Sequence, residues 1–284
     1  MHTPRIIVDS LGECALSIPS GVGATLVLSG ANYHHIVRVF RLDRGSSFEI
    51  LSLAERVVLN AEILAITKES AMAVVTAVRE PTVLRPSTVI MGECRSGVLD
   101  EIVEHLTEIG TSHLAIFRGE KSGPWSSKRE GRDRSQRLNK IVMSALKQSG
   151  FGYPPQISYH LSLRNCLESL AIKNESEISD STAPCTNSPL GKYLLCAPHN
   201  NCEEEVPNLF DVLWSERKQK HIQDISKLAD TYVIVGPEAG TSEDETSVAK
   251  EFGFTMVSLG PKTLRAQTAA TIAAFLAVAL QVRV

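Results

Sequence analysis

The sequence predicts an α/β protein, a mostly parallel sheet with crossover helices, preceded by a small all-β domain. Three observations predict it. Over residues 1–80 short β-type runs recur at close spacing with turns between them. Over residues 86–284 strand-like and helix-like segments alternate, the pattern of a parallel sheet. Between the two lies Glu80-Pro-Thr-Val-Leu-Arg-Pro86, whose two prolines mark the boundary.

In the first part the candidate strands are Arg5–Asp9, Ala24–Leu28, Ser47–Leu51, Val57–Leu64 and Met72–Thr76, and their number and length predict a small barrel. Ala31-Asn-Tyr-His-His-Ile-Val-Arg-Val-Phe-Arg41 reads as one short helix between the second and third. Helical spacing puts Ile36, Val37 and Phe40 on an apolar face and Arg38 with Arg41 on another.

The second part opens with a short strand, Thr88–Met91. Val98–Ile109 carries apolar residues at 99, 102, 103, 106 and 109, a helical stripe that stops on Gly110. His113–Phe117 is a strand, and Ser135–Ser149 a second amphipathic helix with Leu138, Ile141, Val142, Ala145 and Leu146 inward. Lys192–Cys196, Thr231–Val235 and Thr255–Leu259 are further strands. Residues 173–191, rich in Ser, Asn, Pro and Gly, read as a surface loop.

An apolar fraction of 43% suffices for a proper core. The net charge of −3 excludes a polycation, so a nucleic-acid surface must be a local patch. One stretch qualifies: nine Lys/Arg against three Asp/Glu lie between Arg118 and Lys147, with Trp125 among them. Such a run suits phosphate contacts plus stacking, and Arg129, Arg132 and Arg134 are its candidate RNA-binding residues. The six cysteines contain no C-x-x-C pair. Cys196-Ala-Pro-His199-Asn-Asn-Cys202 is the one cluster near metal-ligand spacing, and without a tight pair no metal is expected. Free thiols suit a reducing cytosol. No signal-peptide pattern opens the sequence. Thr268–Leu280 is shorter than the ~20 residues of a membrane helix, so it reads as a buried helix and no membrane partner is expected.

The chemistry concentrates in two loops that each follow a strand and open a helix: Gly236-Pro-Glu-Ala-Gly240 and Leu259-Gly-Pro-Lys-Thr-Leu-Arg-Ala-Gln-Thr268. Ligands of open α/β sheets sit at the carboxyl ends of strands, where both loops fall. Neither loop has phosphate-loop spacing. Glycines let the backbone approach a ligand, while Leu259 and Leu264 suit a flat ring. Ser242 followed by Glu245 supplies a capping box for the helix after the first loop.

GPEAGTSEDE followed by SLGPKTLRAQTAA resembles the paired signatures of the SPOUT methyltransferases. Pro4-Arg-Ile-Ile-Val8, His34-His-Ile-Val-Arg-Val-Phe-Arg-Leu-Asp-Arg-Gly45, Leu99–Gly110 and Ser144–Gly150 are similar, in order, to segments of the RsmE family within it. The resemblance implies a trefoil-knotted parallel sheet, which pattern reasoning alone never proposes, and a PUA-like β-barrel ahead of it. It implies S-adenosyl-L-methionine as cofactor, methylation of uridine N3 in 16S rRNA of the small ribosomal subunit, a homodimer, and a cytoplasmic location. It places cofactor contacts on Val235, Gly236, Gly240, Ser258, Leu259 and Leu264. Arg265 is the candidate stabiliser of negative charge on the uracil and Glu238 a candidate for positioning; a structural ion pair is the other reading of each. Arg5, Arg38 and Arg41 join the candidate RNA-binding residues.

Several positions depart from the family pattern. Ala239 replaces a glycine, Thr241 a bulky apolar residue and Gln267 a glutamate. His105 stands in place of lysine and Phe151 in place of arginine, each removing a fixed positive charge. Gln267, Ala239 and Phe151 keep open an RNA-binding protein of this fold without catalysis; a related methyltransferase acting on a ribose 2′-OH is the other alternative, and the His34–Arg41 segment argues against it.

Overall fold

Two strands from opposite ends of the first sheet bury their side chains in one core, and this shapes the N-terminal unit. In the computed structural model, β1 (Arg5–Val8), β2 (Thr25–Ser29), β3 (Ser47–Ser52), β4 (Val57–Ile66) and β5 (Ser70–Arg79) form a sheet of order β1-β3-β4-β5-β2. β1 runs parallel to β3 and the other pairings are antiparallel. β4 and β5 alternate buried and exposed positions with the two-residue period of a pleated strand. Ile6 and Val8 from one edge share a core with Leu26 and Leu28 from the other, so the sheet curls around it. Among the described residues no ladder joins β1 to β2. The predicted barrel is therefore a curled half-barrel.

The structure describes residues 3–14, 21–80, 87–122, 128–149, 153–172, 191–195, 206–219 and 231–279. They fall into two units, residues 1–83 with 146–153, and residues 84–145 with 154–284. In the first unit the predicted short helix starts as α1 (Gly30–Tyr33) and continues as a π-helical turn, His34–Val39. The Phe40 amide donates to the His35 carbonyl at 2.9 Å and the Leu42 amide to Ile36 at 3.1 Å. Ile36 is fully buried, Val37 and Phe40 pack beside it, and Arg38 and Arg41 are exposed. Arg41 closes the turn at φ 54°, in the left-handed region.

The second unit carries a six-stranded sheet. Along the chain run β6 (Ser87–Gly92), α2 (Ser96–Ile109), β7 (His113–Phe117), α3 (Lys128–Ser149), β8 (Gln156–His160) and α4 (Leu163–Ser169). There follow β9 (Gly191–Leu195), α5 (Leu209–Gln219), β10 (Thr231–Val235), α6 (Glu243–Glu251), β11 (Thr255–Val257) and α7 (Ala266–Ala279). The order is β11-β9-β10-β6-β7-β8, and every pairing is parallel. β6 is buried along its whole length, as a strand covered on both faces must be. α2 ends where the sequence places its stop, on Gly110 at φ 88°. α7 sets buried Ala266, Ala270, Ala273, Ala274 and Ala277 against α2, β6 and β10. No helix among the described residues is long and apolar enough to cross a membrane.

Three expectations need correction or fall elsewhere. α3 begins at Lys128, not Ser135; its first two turns, Lys-Arg-Glu-Gly-Arg-Asp-Arg, carry no apolar stripe to mark them in the sequence. Arg5, expected on an RNA surface, is 4% exposed, and its guanidinium pairs with Glu49. Glu49 also accepts from Arg79 at 2.7 Å, so one carboxylate ties β1, β3 and β5 together. The Cys196–Cys202 cluster, the 81–86 linker, Trp125, Phe151 and residues 173–190 lie outside the described residues. Cys14, Cys94 and Cys166 are buried free thiols.

Burial of Glu49 raises its pKa, but the bonds from Arg79 and Arg5 outweigh burial and hold the carboxyl below its ordinary value. A depressed carboxylate stabilises the fold above its unfolded pKa, and that contribution disappears as pH falls through the folded value. Glu49→Gln leaves the buried Arg5 charge uncompensated and should cost about 3 kcal/mol at neutral pH. Urea unfolding repeated down to about pH 3 should give the variant a smaller acid-side loss than the parent.

Candidate active site

The loop after β10 bends twice, and each bend has a steric cause. A Cβ on Gly236 would lie 2.7 Å from the Thr241 nitrogen and 2.8 Å from the Gly240 carbonyl carbon, so the chain returns against its own strand end. Within the return, the Gly240 amide donates to the Pro237 carbonyl at 2.8 Å and Gly240 takes φ 76°. Pro237 rests on the end of β6, where a Cβ on Gly92 would sit 2.3 Å from the proline Cδ. Only glycine fits at 92 and 236 without moving backbone.

The far end of this loop is clamped. Ser242 accepts from the Glu245 amide at 3.0 Å and Glu245 accepts from the Ser242 amide at 2.8 Å, the predicted capping box. The buried Glu245 accepts a further bond from the Glu120 amide at 2.9 Å, and Lys121 donates to the Thr241 carbonyl at 2.8 Å. The segment after β7 thus braces the start of α6.

The second loop follows β11. Its entry is fixed by Ser258, whose amide donates to Pro207 and whose carbonyl accepts from Leu209, both at 2.9 Å. Gly260 then turns at φ 117° and the chain runs through Leu264 and Arg265 into α7. Between the two loops opens a cleft of about 1270 Å³. Val235, Gly236, Gly240, Leu259 and Leu264 line it, together with Glu238 and Arg265. Five cations (Arg95, Lys121, Lys250, Lys262, Arg265) face two carboxylates (Glu238, Glu243), so the cleft is locally positive in a chain of net charge −3.

Residues 81–278 match the family described as RNA methyltransferase domain. The chain belongs to this family. The motif resemblance to RsmE proteins is borne out by its relatives. Ribosomal RNA small subunit methyltransferase E of Synechocystis sp. is 25% identical over 252 residues, 89% of this chain and 72% of that protein. Ribosomal RNA small subunit methyltransferase E 1 of Borreliella burgdorferi is 25% identical over 250 residues, 87% of this chain and 89% of that protein. Among solved structures, the Neisseria gonorrhoeae ribosomal RNA small subunit methyltransferase E bound to S-adenosyl methionine superposes with a TM-score of 0.66 at 21% identity. That likeness covers 96% of this chain and 95% of the other, and it establishes a shared fold.

Within this RNA methyltransferase domain the structure gathers seven of the site residues read from the sequence into one cleft and leaves Ser258 off its wall. The Ser258 backbone is already used by the 207–209 segment. Arg265 is exposed and makes no side-chain hydrogen bond or ion pair among the described residues, which removes support for a structural ion pair there. Glu238 is exposed, and its Oε1 accepts from the Arg95 amide at 3.4 Å. Burial, followed by the charge and hydrogen bond of Glu238, pushes the Cys94 thiol up to about 12, so it stays protonated beside the cleft. Sequence reasoning missed Gly92, Arg95 and Lys121. A Gly-Glu-Cys-Arg turn straight after a buried strand was the available signal for the first two.

Arg134 is not a free surface cation: it pairs with Glu93, lies mostly buried, and sits over the Tyr159 ring at 5.4 Å. Arg129 and Arg132 lie on α3, with side chains outside the described residues. Arg38 and Arg41 stand exposed on the first unit. His105 uses Nδ1 in a 3.1 Å bond to the Thr271 hydroxyl. That hydroxyl donates to the Gln267 carbonyl at 2.7 Å, so it accepts from the imidazole and ties α2 to α7.

Alanine at 236 should disturb the loop's path more than alanine at 240, because only the first meets backbone. The first forces backbone apart and should cost about 1–3 kcal/mol. The second meets no atom within 4 Å and bears only the left-handed penalty of roughly 1–2 kcal/mol. Hydrogen exchange should show the Gly240 amide losing protection in Gly236→Ala and keeping most of it in Gly240→Ala.

Proposed function

We propose that this chain uses S-adenosyl-L-methionine to methylate N3 of a uridine in the 16S rRNA of the small ribosomal subunit. One observation carries the reading: a positively charged cleft whose floor is the backbone of two glycine-bearing loops, with an exposed arginine at its edge that has no ion pair among the described residues. The names of the relatives point to the same substrate class. The trefoil knot, a PUA-like role for the half-barrel, a homodimer and a cytoplasmic location complete the proposal on the strength of the family.

The residues present suit this cofactor. Gly240 and Gly260 have positive φ and open space where a side chain would stand, so flat or bent groups can lie against the backbone. Leu259 and Leu264 offer apolar faces to a ring. When bound, the sulfonium supplies an already activated methyl group. The chain's task is then alignment, electrostatics and exclusion of water. Arg265 directs its guanidinium charge at the negative charge that builds on the uracil as its N3 proton passes to solvent water. Glu238, tethered by the Arg95 amide, orients the base from the first loop. Arg38, Arg41, Arg129 and Arg132 hold the RNA backbone by charge.

Nucleoside mass spectrometry of small-subunit rRNA incubated with the purified chain and cofactor should find N3-methyluridine; a 2′-O-methyl product or no product would refute the assignment. Arg265→Ala should lower turnover by at least about a hundredfold while affinities for RNA and cofactor change little. Arg265→Lys should recover only part of the loss, since lysine keeps the charge but not the planar fork of donors. A loss confined to binding and melting temperature would take Arg265 out of the chemistry.

A further inference from the structure

A slot of about 100 Å³ lies on the seam between α3 and the edge strand β8, apart from the cleft. Leu138, Pro155 and Ile157 supply its apolar lining, the Tyr159 ring borders it, and Ser135 and Asn139 bring polar groups to it. Ser135, Leu138 and Asn139 share a helix face by their three- and four-residue spacing, and Ile157 and Tyr159 share a strand face. Leu138 and Pro155 are buried, whereas Ser135 and Asn139 are exposed and without side-chain hydrogen bonds among the described residues.

The way Tyr159 is held is what needs explaining. The residue is 39% exposed, yet the Arg134 guanidinium sits over its ring. Arg134 is itself fixed by Glu93, and the two side chains are only 12% and 8% exposed. This ion pair is poorly satisfied: Glu93 Oε2 and Arg134 Nε are buried without a hydrogen-bond partner among the described residues. A nearly buried, under-bonded charge pair is a weak stabiliser. Here its result is an aromatic ring pinned from one face and left partly open to solvent.

The position ties the ring to the cleft. Glu93 directly follows β6, two residues before the cleft residue Arg95, and β8 lies two strands from β6. Two inter-strand steps amount to roughly 10 Å. On α3, Arg134 and Arg137 pair with Glu93 and Asp100, and Lys140 is the exposed cation that can attract a phosphate backbone nearby.

We infer that the slot takes an unstacked nucleobase of the RNA, a near neighbour of the base presented to the cleft. Tyr159 is its stacking face, and Asn139 with Ser135 reads its polar edge. Flat apolar faces with donors and acceptors on the rim are what this mixture of lining groups matches. An amide offers both donor and acceptor, so Asn139 can address any base edge. The inference rests on the RNA-substrate reading above but needs no methyl transfer.

The test uses the full chain and a single-stranded oligoribonucleotide with one uridine, carrying 2-aminopurine at each flanking position in turn. One flanking position should change fluorescence on binding, as a stacked fluorophore does. Tyr159→Ala should weaken binding about five- to a hundredfold and abolish that signal. Tyr159→Phe should bind within about twofold of the parent, because the ring face does the stacking. Asn139→Phe, a change at an exposed position, fills the slot and should remove the signal without lowering the melting temperature. Parent-like binding by Tyr159→Ala and Asn139→Phe, or no fluorescence change at any position, overturns the slot. Titration with S-adenosylmethionine alone separates the two proposals. Failure there with a Tyr159-dependent signal retained sinks methyl transfer and leaves the slot standing.

Discussion

The second unit depends on one close approach, the seating of Pro237 on Gly92 at the end of β6. β6 and β10 are neighbours in register, so the chain leaving β10 has to turn directly above the end of β6. A side chain at 92 would occupy the place of the proline ring and push the loop outward. With the proline seated, the chain can fold back at Gly236, bring Thr241 against its own strand end, and start α6 from a satisfied cap. The cleft is the space left when this turn is closed.

Much of the architecture was legible because it follows from period. All five strands of the half-barrel and the stop of α2 are written in apolar alternation and a glycine. β8, α4 and α5 were not legible, since β8 is an edge strand with a mixed burial pattern and the two helices are short. Closure of the first sheet was overread. Alternation fixes which face of a strand is buried, but whether two edges pair depends on sheet curvature, which no local pattern encodes.

The site divides in the same way. Gly236, Gly240, Leu264 and Arg265 were readable since their residue types stand out in their loops. Gly92 ends β6 and Lys121 follows β7, and their meaning exists only after the sheet brings them to the loop. Arg5 and Arg134 were misread for a related reason: a sequence shows an arginine's charge but not the carboxylate facing it. His105 was read as a possible RNA-facing residue, and the structure gives its Nδ1 to a bond with Thr271 that ties α2 to α7.

The strand order also governs when the site can exist. β10 lies between β9 and β6, and it enters the chain after both. Until residues 231–235 have been synthesised, the sheet has a missing central plank, with β9 on one side of the gap and the β6-β7-β8 block on the other. The cleft then still waits for the loop that ends at Arg265, close to the C-terminal helix. A nascent chain released early is therefore a half-barrel with an incomplete sheet rather than a slower version of the same molecule.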